Sequence, residues 1–175
     1  IGNFDGIHKG HQKVLKQAKK KAKKNKTAIG IVTFEPMPVM FFNKKLKNHR
    51  INSLNQKINQ LKSLKIDFLI ILKFNKSFSS FSADKFIKNV IYDKLRSKYV
   101  FVSNNFKFGK NRKGNTQTLK RFENIYNYKT IITDPLLRLK KTISSTLIRK
   151  KLSLSKIKEA NNLLGRHWCV IGKVV

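Results

Sequence analysis

Strands that alternate with helices along the chain predict an α/β protein built on a doubly wound, mostly parallel sheet. Three observations carry that expectation. Residues 27–34 (TAIGIVTF) form an almost continuous apolar run, as a parallel strand covered on both faces requires. Shorter apolar runs recur at 68–72, 99–102 and 130–133, each preceded by a segment with apolar residues at helical spacing. The 175 residues, 40% of them hydrophobic and 13 of them Phe, suffice for one α/β core and are too few for two ordinary domains.

Taken in order, residues 1–4 read as the end of a buried strand and residues 6–10 as a loop. Val14, Leu15, Ala18 and Ala22 give a helix from about His11 to Lys24, which Asn25 ends. The apolar strand follows and is broken by Glu35-Pro36-Met37-Pro38. Ser53 caps a short helix carrying Ile58, Leu61 and Leu64. Residues 68–72 are expected as a third buried strand, and Ser82 starts a helix with Phe86, Val90 and Leu95 inward and Asp84 and Lys85 exposed. A fourth strand at 99–102 leads into a polar loop at 103–117, too long for a mere connector. A short helix at 119–125 and a fifth strand at 130–133 come next. Ser144 opens one more helix, and Ser155 a last one that runs through Leu164 and is closed by Gly165.

Lys plus Arg total 40 against 8 Asp plus Glu, a net charge of +32, which raises nucleic acid as a partner. Only seven of the 40 are Arg, and Arg supplies the bidentate and stacking contacts on which nucleic-acid readers rely. The abundance of Lys, Asn and Ile reads instead as AT-rich coding and a solvated lysine surface, so no nucleic-acid partner is expected. The single cysteine, Cys169, excludes an intramolecular disulfide framework and a multi-cysteine metal site, and suits a cytoplasmic setting. No apolar run approaches the roughly 20 residues of a membrane span. The chain begins at Ile1 inside a motif and stops at residues 170–175 (VIGKVV), a strand just starting; both ends read as cut from a longer protein, with a preceding targeting segment left open.

Two constellations carry chemistry. Gly2, Asn3, Phe4, Asp5, Gly6, His8, Gly10 and His11 lie after a strand and at a helix start, where unpaired N–H groups and a partial positive charge suit phosphate. The imidazoles of His8 and His11 can each donate to a phosphate oxygen, Gly10 lets a nucleotide approach the backbone, and Gly6 permits a tight turn. The pair could also bind metal if a third ligand existed, or be satisfied structural histidines; His49 and His167 stand apart, and no metal site is assigned. In the second constellation, Ser144, Ser145 and Thr146 supply capping hydroxyls and Arg149 lies one turn in, able to grip phosphate or, more simply, part of an ordinary cap.

Together, G-x-F-D-x-x-H-x-G-H and I-S-S-T-x-x-R resemble the nucleotidyltransferase superfamily. The segments T-F-E-P-x-P at 33–38, F-S-x-x-S-A-D-x-F-I at 78–87, N-F-x-F-G-x-x-R-x-G at 105–114 and L-L-G-R at 163–166 look like the adenylyltransferase module of bacterial FAD synthase. The resemblance implies a Rossmann-like fold, ATP and FMN as substrates, Mg²⁺, and transfer of AMP to FMN with release of pyrophosphate. It implies that His8, Gly10 and His11 grip ATP, with Asn3, Phe4, Asp5 and Gly6 shaping the adenine and phosphate site. Ser144, Ser145, Thr146 and Arg149 match a second triphosphate motif, and Pro36, Pro38, Asn105, Phe106 and Arg112 fall on the flavin side. It further implies an adenylyltransferase domain at 1–165, with a linker and the start of a riboflavin kinase domain at 166–175. Met37 stands where the family most often has His, Leu147 where it often has Arg, and Ser103 where a Gly usually follows the strand; these touch the flavin side more than the ATP motifs. Rival readings are another adenylyl- or cytidylyltransferase of the same fold, a class I aminoacyl-tRNA synthetase, whose lysine-rich loop is not found, and a basic nucleic-acid-binding module.

Overall fold

The structure, a computed structural model, describes residues 1–46, 49–139 and 141–172. Along the chain run α1 (Lys9–Lys24), β1 (Gly30–Glu35), α2 (Pro38–Phe42), α3 (Leu54–Ser63), β2 (Phe68–Lys73), α4 (Lys76–Ser79), α5 (Ala83–Phe86), β3 (Tyr99–Ser103), α6 (Thr116–Arg121), α7 (Glu123–Tyr126), β4 (Lys129–Thr133), β5 (Leu137–Arg138), β6 (Lys141–Thr142), α8 (Ser145–Ser153) and α9 (Ile157–Leu164). They divide into two compact units, one of Ile1–Asn3, Val32–Leu46 and Ile70–Asp134, the other of Phe4–Ile31, Lys47–Leu69 and Pro135–Val175.

The first unit holds most of the sheet. β3 pairs with β4 in parallel, from Tyr99 opposite Lys129 to Ser103 opposite Thr133. β1 pairs with β2, in the same sense at both ends: Phe68 N donates to Ile29 O (3.2 Å) and Phe74 N to Glu35 O (2.8 Å). Ile1–Asn3 runs between the two pairs. Gly2 N donates to Val32 O (3.0 Å) and Thr33 Oγ1 to Asn3 O (3.1 Å) on one side, and Ile1 N donates to Phe101 O (3.2 Å) on the other. With that segment counted as the first strand, the order is 3-2-1-4-5, that of a doubly wound sheet, and its switch point falls where Asn3 gives way to Phe4. Phe86, Ile87, Val90, Ile91, Val100 and Val102 form the core of this unit. Ser82 caps α5 by accepting from Lys85 N (3.1 Å), and the helix continues through Ile87–Lys94 in π form, which keeps Phe86 and Val90 inward.

Three expectations change along these strands and helices. β2 is no buried strand: it lies at the edge of the sheet order and Phe68 is 57% exposed. The helix at 119–125 is two helices, α6 and α7, separated at Phe122 (φ −91°, ψ 0°). The apolar run at 27–34 becomes a strand only from Gly30, because Ile29 N is taken by the Asp67 carboxylate (2.8 Å) rather than by a ladder partner.

The second unit gathers α1, α3, α8 and α9. α1 buries Leu15 and Ala18 with Phe4, Ile7, Ile31 and Leu61. Ser53 and Gln56 form a reciprocal cap at the start of α3. Ile148, Ala160 and Leu164 are fully enclosed where α8 and α9 pack; burying an aliphatic side chain of this size stabilises by about 1.5–3 kcal/mol. α9 starts at Ile157 rather than Ser155, whose φ of +55° lies outside the helix. A short antiparallel pair, β5 with β6, precedes α8 and carried no clear periodic signal. Arg166–Cys169 are tied into this unit; of the strand start expected at 170–175, residues 170–172 carry no strand, and residues 173–175 lie outside the described residues. Among the described residues no helix is long and apolar enough to cross a membrane.

Candidate active site

The residues leading into α1 form a constrained turn. Phe4 and Ile7 hold positive φ values of 47° and 39°, unusual for non-glycine residues, and both are buried. Gly6 (φ +80°) has its expected role: a Cβ there would lie 3.0 Å from Ile51 Cδ1. The turn delivers His8 as the N-cap of α1, with its Nδ1 accepting from His11 N (3.3 Å). That bond leaves Nε2 to carry the proton in the neutral ring. The His8 and His11 rings stack at 3.7 Å, and Phe4 lies 5.0 Å from His11.

Burial, aided by the nearby Arg166 guanidinium, pulls His8 from its ordinary 6.5 down to about 4. Burial, then the neighbouring His8, holds His11 well below the ordinary value. Both rings are therefore uncharged near neutrality, and each can offer one N–H to an acceptor. His11 Nδ1 is enclosed without a hydrogen-bond partner, a polar atom that a ligand could satisfy. Gly10 has a role beyond the expected one. A Cβ there would come 3.0 Å from His8 Nδ1 and 3.3 Å from Ile143 O, so its missing side chain makes room for the His8 ring itself.

The two constellations meet in this unit, through Asp5. The carboxylate is 3% exposed; Oδ1 accepts from Ile51 N (2.9 Å) and Oδ2 from an Arg149 guanidinium nitrogen (2.7 Å). Its backbone carbonyl accepts from Ser145 Oγ (2.8 Å). Ser144 Oγ accepts from Leu147 N (3.2 Å) as the N-cap of α8, and Thr146 Oγ1 accepts from Arg149 (3.4 Å). Arg149 is thus aimed by Asp5 and Thr146, and the serines hold the helix start in place. Near them lie Asn52 and Lys57, which the sequence did not single out, and Arg166, to which it gave no role: Asn52 and Lys57 are buried, and Arg166 donates to Asn52 Oδ1 (2.9 Å). The one available signal was the L-L-G-R segment that ends on Arg166.

The residues assigned to the flavin side lie in the first unit. Pro36 follows a cis peptide bond and Pro38 opens α2, with Met37 buried between them. Asn105 Oδ1 accepts from Ser103 Oγ (2.8 Å), and Phe106 stacks on Phe108 at 5.3 Å. Arg112 is exposed with φ +57°. The loop is pressed against the start of α5: a Cβ on Gly109 (φ +71°) would lie 2.7 Å from Ala83 N.

Among the described residues no three His, Cys, Asp or Glu side chains group as metal ligands, and both Asp5 oxygens are already engaged. The described residues therefore offer no all-protein cage for Mg²⁺ at this site.

A doubly wound parallel sheet, an H-x-G-H helix start and a Ser-Ser-Thr…Arg helix start tied to it agree with the resemblance to the nucleotidyltransferase superfamily drawn from the sequence. The comparisons are more specific. The FAD synthetase family model matches residues 1–147, and the chain belongs to that family. Similar curated proteins include the bifunctional riboflavin kinase/FMN adenylyltransferases of Buchnera aphidicola subsp. Schizaphis graminum, 45% identical, and of Escherichia coli K12, 29% identical. Each match covers 100% of this chain and 56% of the relative, so the chain spans about half the length of the curated relatives it matches. Among solved structures, a Streptococcus pneumoniae protein described as a macrolide-efflux protein superposes with a TM-score of 0.84 at 30% identity, over 95% of this chain and 54% of that one. Pantoate-beta-alanine ligase from Francisella tularensis, with a TM-score of 0.56 and 16% identity over 94% of this chain and 68% of that one, shares the fold.

Proposed function

We propose that this chain transfers AMP from ATP to FMN, giving FAD and pyrophosphate. The observation that carries the proposal is the convergence, through the buried Asp5, of the His8–His11 helix start and the Ser144–Arg149 helix start. An FMN phosphate oxygen attacks the α-phosphorus in line, and the bond to the bridging oxygen of the leaving pyrophosphate breaks. The acceptor phosphate is itself the nucleophile, so no protein nucleophile is needed.

The chain supplies position and charge stabilisation. Neutral His8 donates through Nε2–H and His11 through its own N–H, while the α1 amides add their partial positive charge. Arg149, oriented by Asp5, offers its fork to the triphosphate. Gly2, Asn3, Phe4, Gly6, Gly10 and Ser145 shape the nucleotide side, with Pro36, Pro38, Asn105, Phe106 and Arg112 on the flavin side. Mg²⁺ would ride on the triphosphate oxygens and neutralise their charge. A cytoplasmic setting suits these substrates, and none of the roles asks for nucleic acid.

The test is incubation of the chain with ATP, Mg²⁺ and FMN, followed by chromatography. FAD is expected from FMN and not when riboflavin replaces it, because riboflavin lacks the attacking phosphate. Formation of FAD from neither, by folded protein, overturns the proposal.

A further inference from the structure

We infer that Arg166 is an additional phosphate-binding residue, whose guanidinium contacts the triphosphate of ATP beside His8. The inference rests on the proposed adenylyl transfer and adds a residue to it.

Its placement is built rather than incidental. Gln12, in the first turns of α1, donates from Nε2 to both Ile7 O (2.9 Å) and Leu164 O (3.0 Å), fastening the end of α9 to the start of α1. Gly165 then turns the chain with φ +76° in a space where a Cβ would meet Lys9 Cε at 3.1 Å. Beyond Arg166 the chain is fixed again. Trp168 N donates to Asn161 Oδ1 (2.7 Å), Trp168 Nε1 to Ile51 O (3.1 Å), and Gln56 Nε2 to Cys169 O (3.0 Å). Arg166 is thus held from both sides, and the buried Asn52 orients one of its guanidinium nitrogens (2.9 Å).

The charge arithmetic points the same way. Arg149 has its carboxylate, Asp5, at 2.7 Å. Arg166 is half-buried, and among the described residues no carboxylate lies within salt-bridge distance of it. Its one described hydrogen bond, to a neutral amide, leaves most of its five donors for another acceptor. A desolvated cation without a counter-ion is costly, and an anionic ligand offsets that cost. Gln12 and Lys9, packed against Leu164 and Gly165, place Arg166 at the same helix start, and its charge there helps lower the His8 pKa. Phosphate matches a planar fork that one neutral partner has pre-oriented.

The test measures binding of ATP and of inorganic pyrophosphate to the full chain by calorimetry, for the wild type, R166Q and R166K, with thermal unfolding alongside. Pyrophosphate isolates the phosphate contact from adenine recognition. R166Q is expected to weaken both ligands at least tenfold, leave FMN binding within twofold, and raise the KM for pyrophosphate in the reverse reaction from FAD. R166K, which keeps the charge and loses the fork, is expected to fall between and serves as the readout if R166Q does not fold. A residue that merely braces Asn52 would lower the melting temperature and leave pyrophosphate affinity unchanged; that result, or wild-type affinities in a folded variant, overturns the inference while adenylyl transfer stands. A wild-type chain that binds neither ATP nor pyrophosphate removes both.

Discussion

Replacing Asp5 by Asn tests the joint between the two motifs. The substitution preserves shape, and Asn Oδ1 can still accept from Ile51 N, now 2.9 Å away. The amide NH₂ would then face the Arg149 nitrogen that sits 2.7 Å from Oδ2, donor against donor. Breaking a fully buried ion pair costs about 3–5 kcal/mol. The Arg149 side chain is 25% exposed and can turn toward water, so the expected loss is smaller, about 2 kcal/mol. For a chain of this size that lowers the melting temperature by about 4–8 °C. The assay is thermal unfolding by circular dichroism of wild type, D5N, R149M and D5N/R149M. The double variant should be less destabilised than the two single losses added together, with a coupling of about 1–2 kcal/mol. Additive effects, or D5N melting within 1 °C of wild type, would refute the view that Asp5 ties Arg149 to the first motif.

Gly10→Ala sets two effects in opposition: Ala gains up to about 1 kcal/mol of helix propensity, while its Cβ lies 3.0 Å from His8 Nδ1 and 3.3 Å from Ile143 O. Steady-state kinetics should show kcat reduced about tenfold with the melting temperature changed by only a few degrees, because the displaced group is the His8 ring rather than the core. An unchanged kcat would mean that the position of that ring is immaterial. The pH dependence of stability follows from His8. Between pH 6.5 and about 4 the unfolded chain binds a proton that the folded chain refuses, so stability present above pH 6.5 is lost as pH falls, by about 3 kcal/mol from this group. Urea unfolding at pH 7.5, 5.5 and 4.5 should give a flatter profile for H8Q than for wild type; parallel profiles would contradict the burial of a neutral ring.

Much of the architecture was legible because it is local. The N-caps Ser53, Ser82 and Ser144 and the terminating Gly165 follow from side-chain oxygens and a permitted left-handed residue, which short stretches of sequence reveal. What escaped is non-local. The edge position of β2 depends on strand order, which an apolar run does not encode. The partner of Arg149 lies 144 positions away, so the same residue read as a phosphate ligand or, more simply, as part of a cap. Gly10 was legible as a necessary glycine, but the group requiring the space, the His8 ring, emerged only from the packing. Asn52 and Lys57, polar and buried, leave no periodic trace.

In the proposed reaction, the two histidines at the start of α1 promote attack of FMN phosphate on the α-phosphorus of ATP. The most direct measurement follows label from ATP carrying radioactive α-phosphate into FAD, for wild type and for the H8A/H11A variant shown to be folded. Label should enter FAD with wild type, one pyrophosphate being released per FAD. Losing one well-placed donor of this kind typically costs about 10²–10³ in rate, so the double variant should be at least that much slower. Wild-type rates of labelled FAD formation in the folded double variant, or no labelled FAD from the folded wild-type chain, would contradict the account.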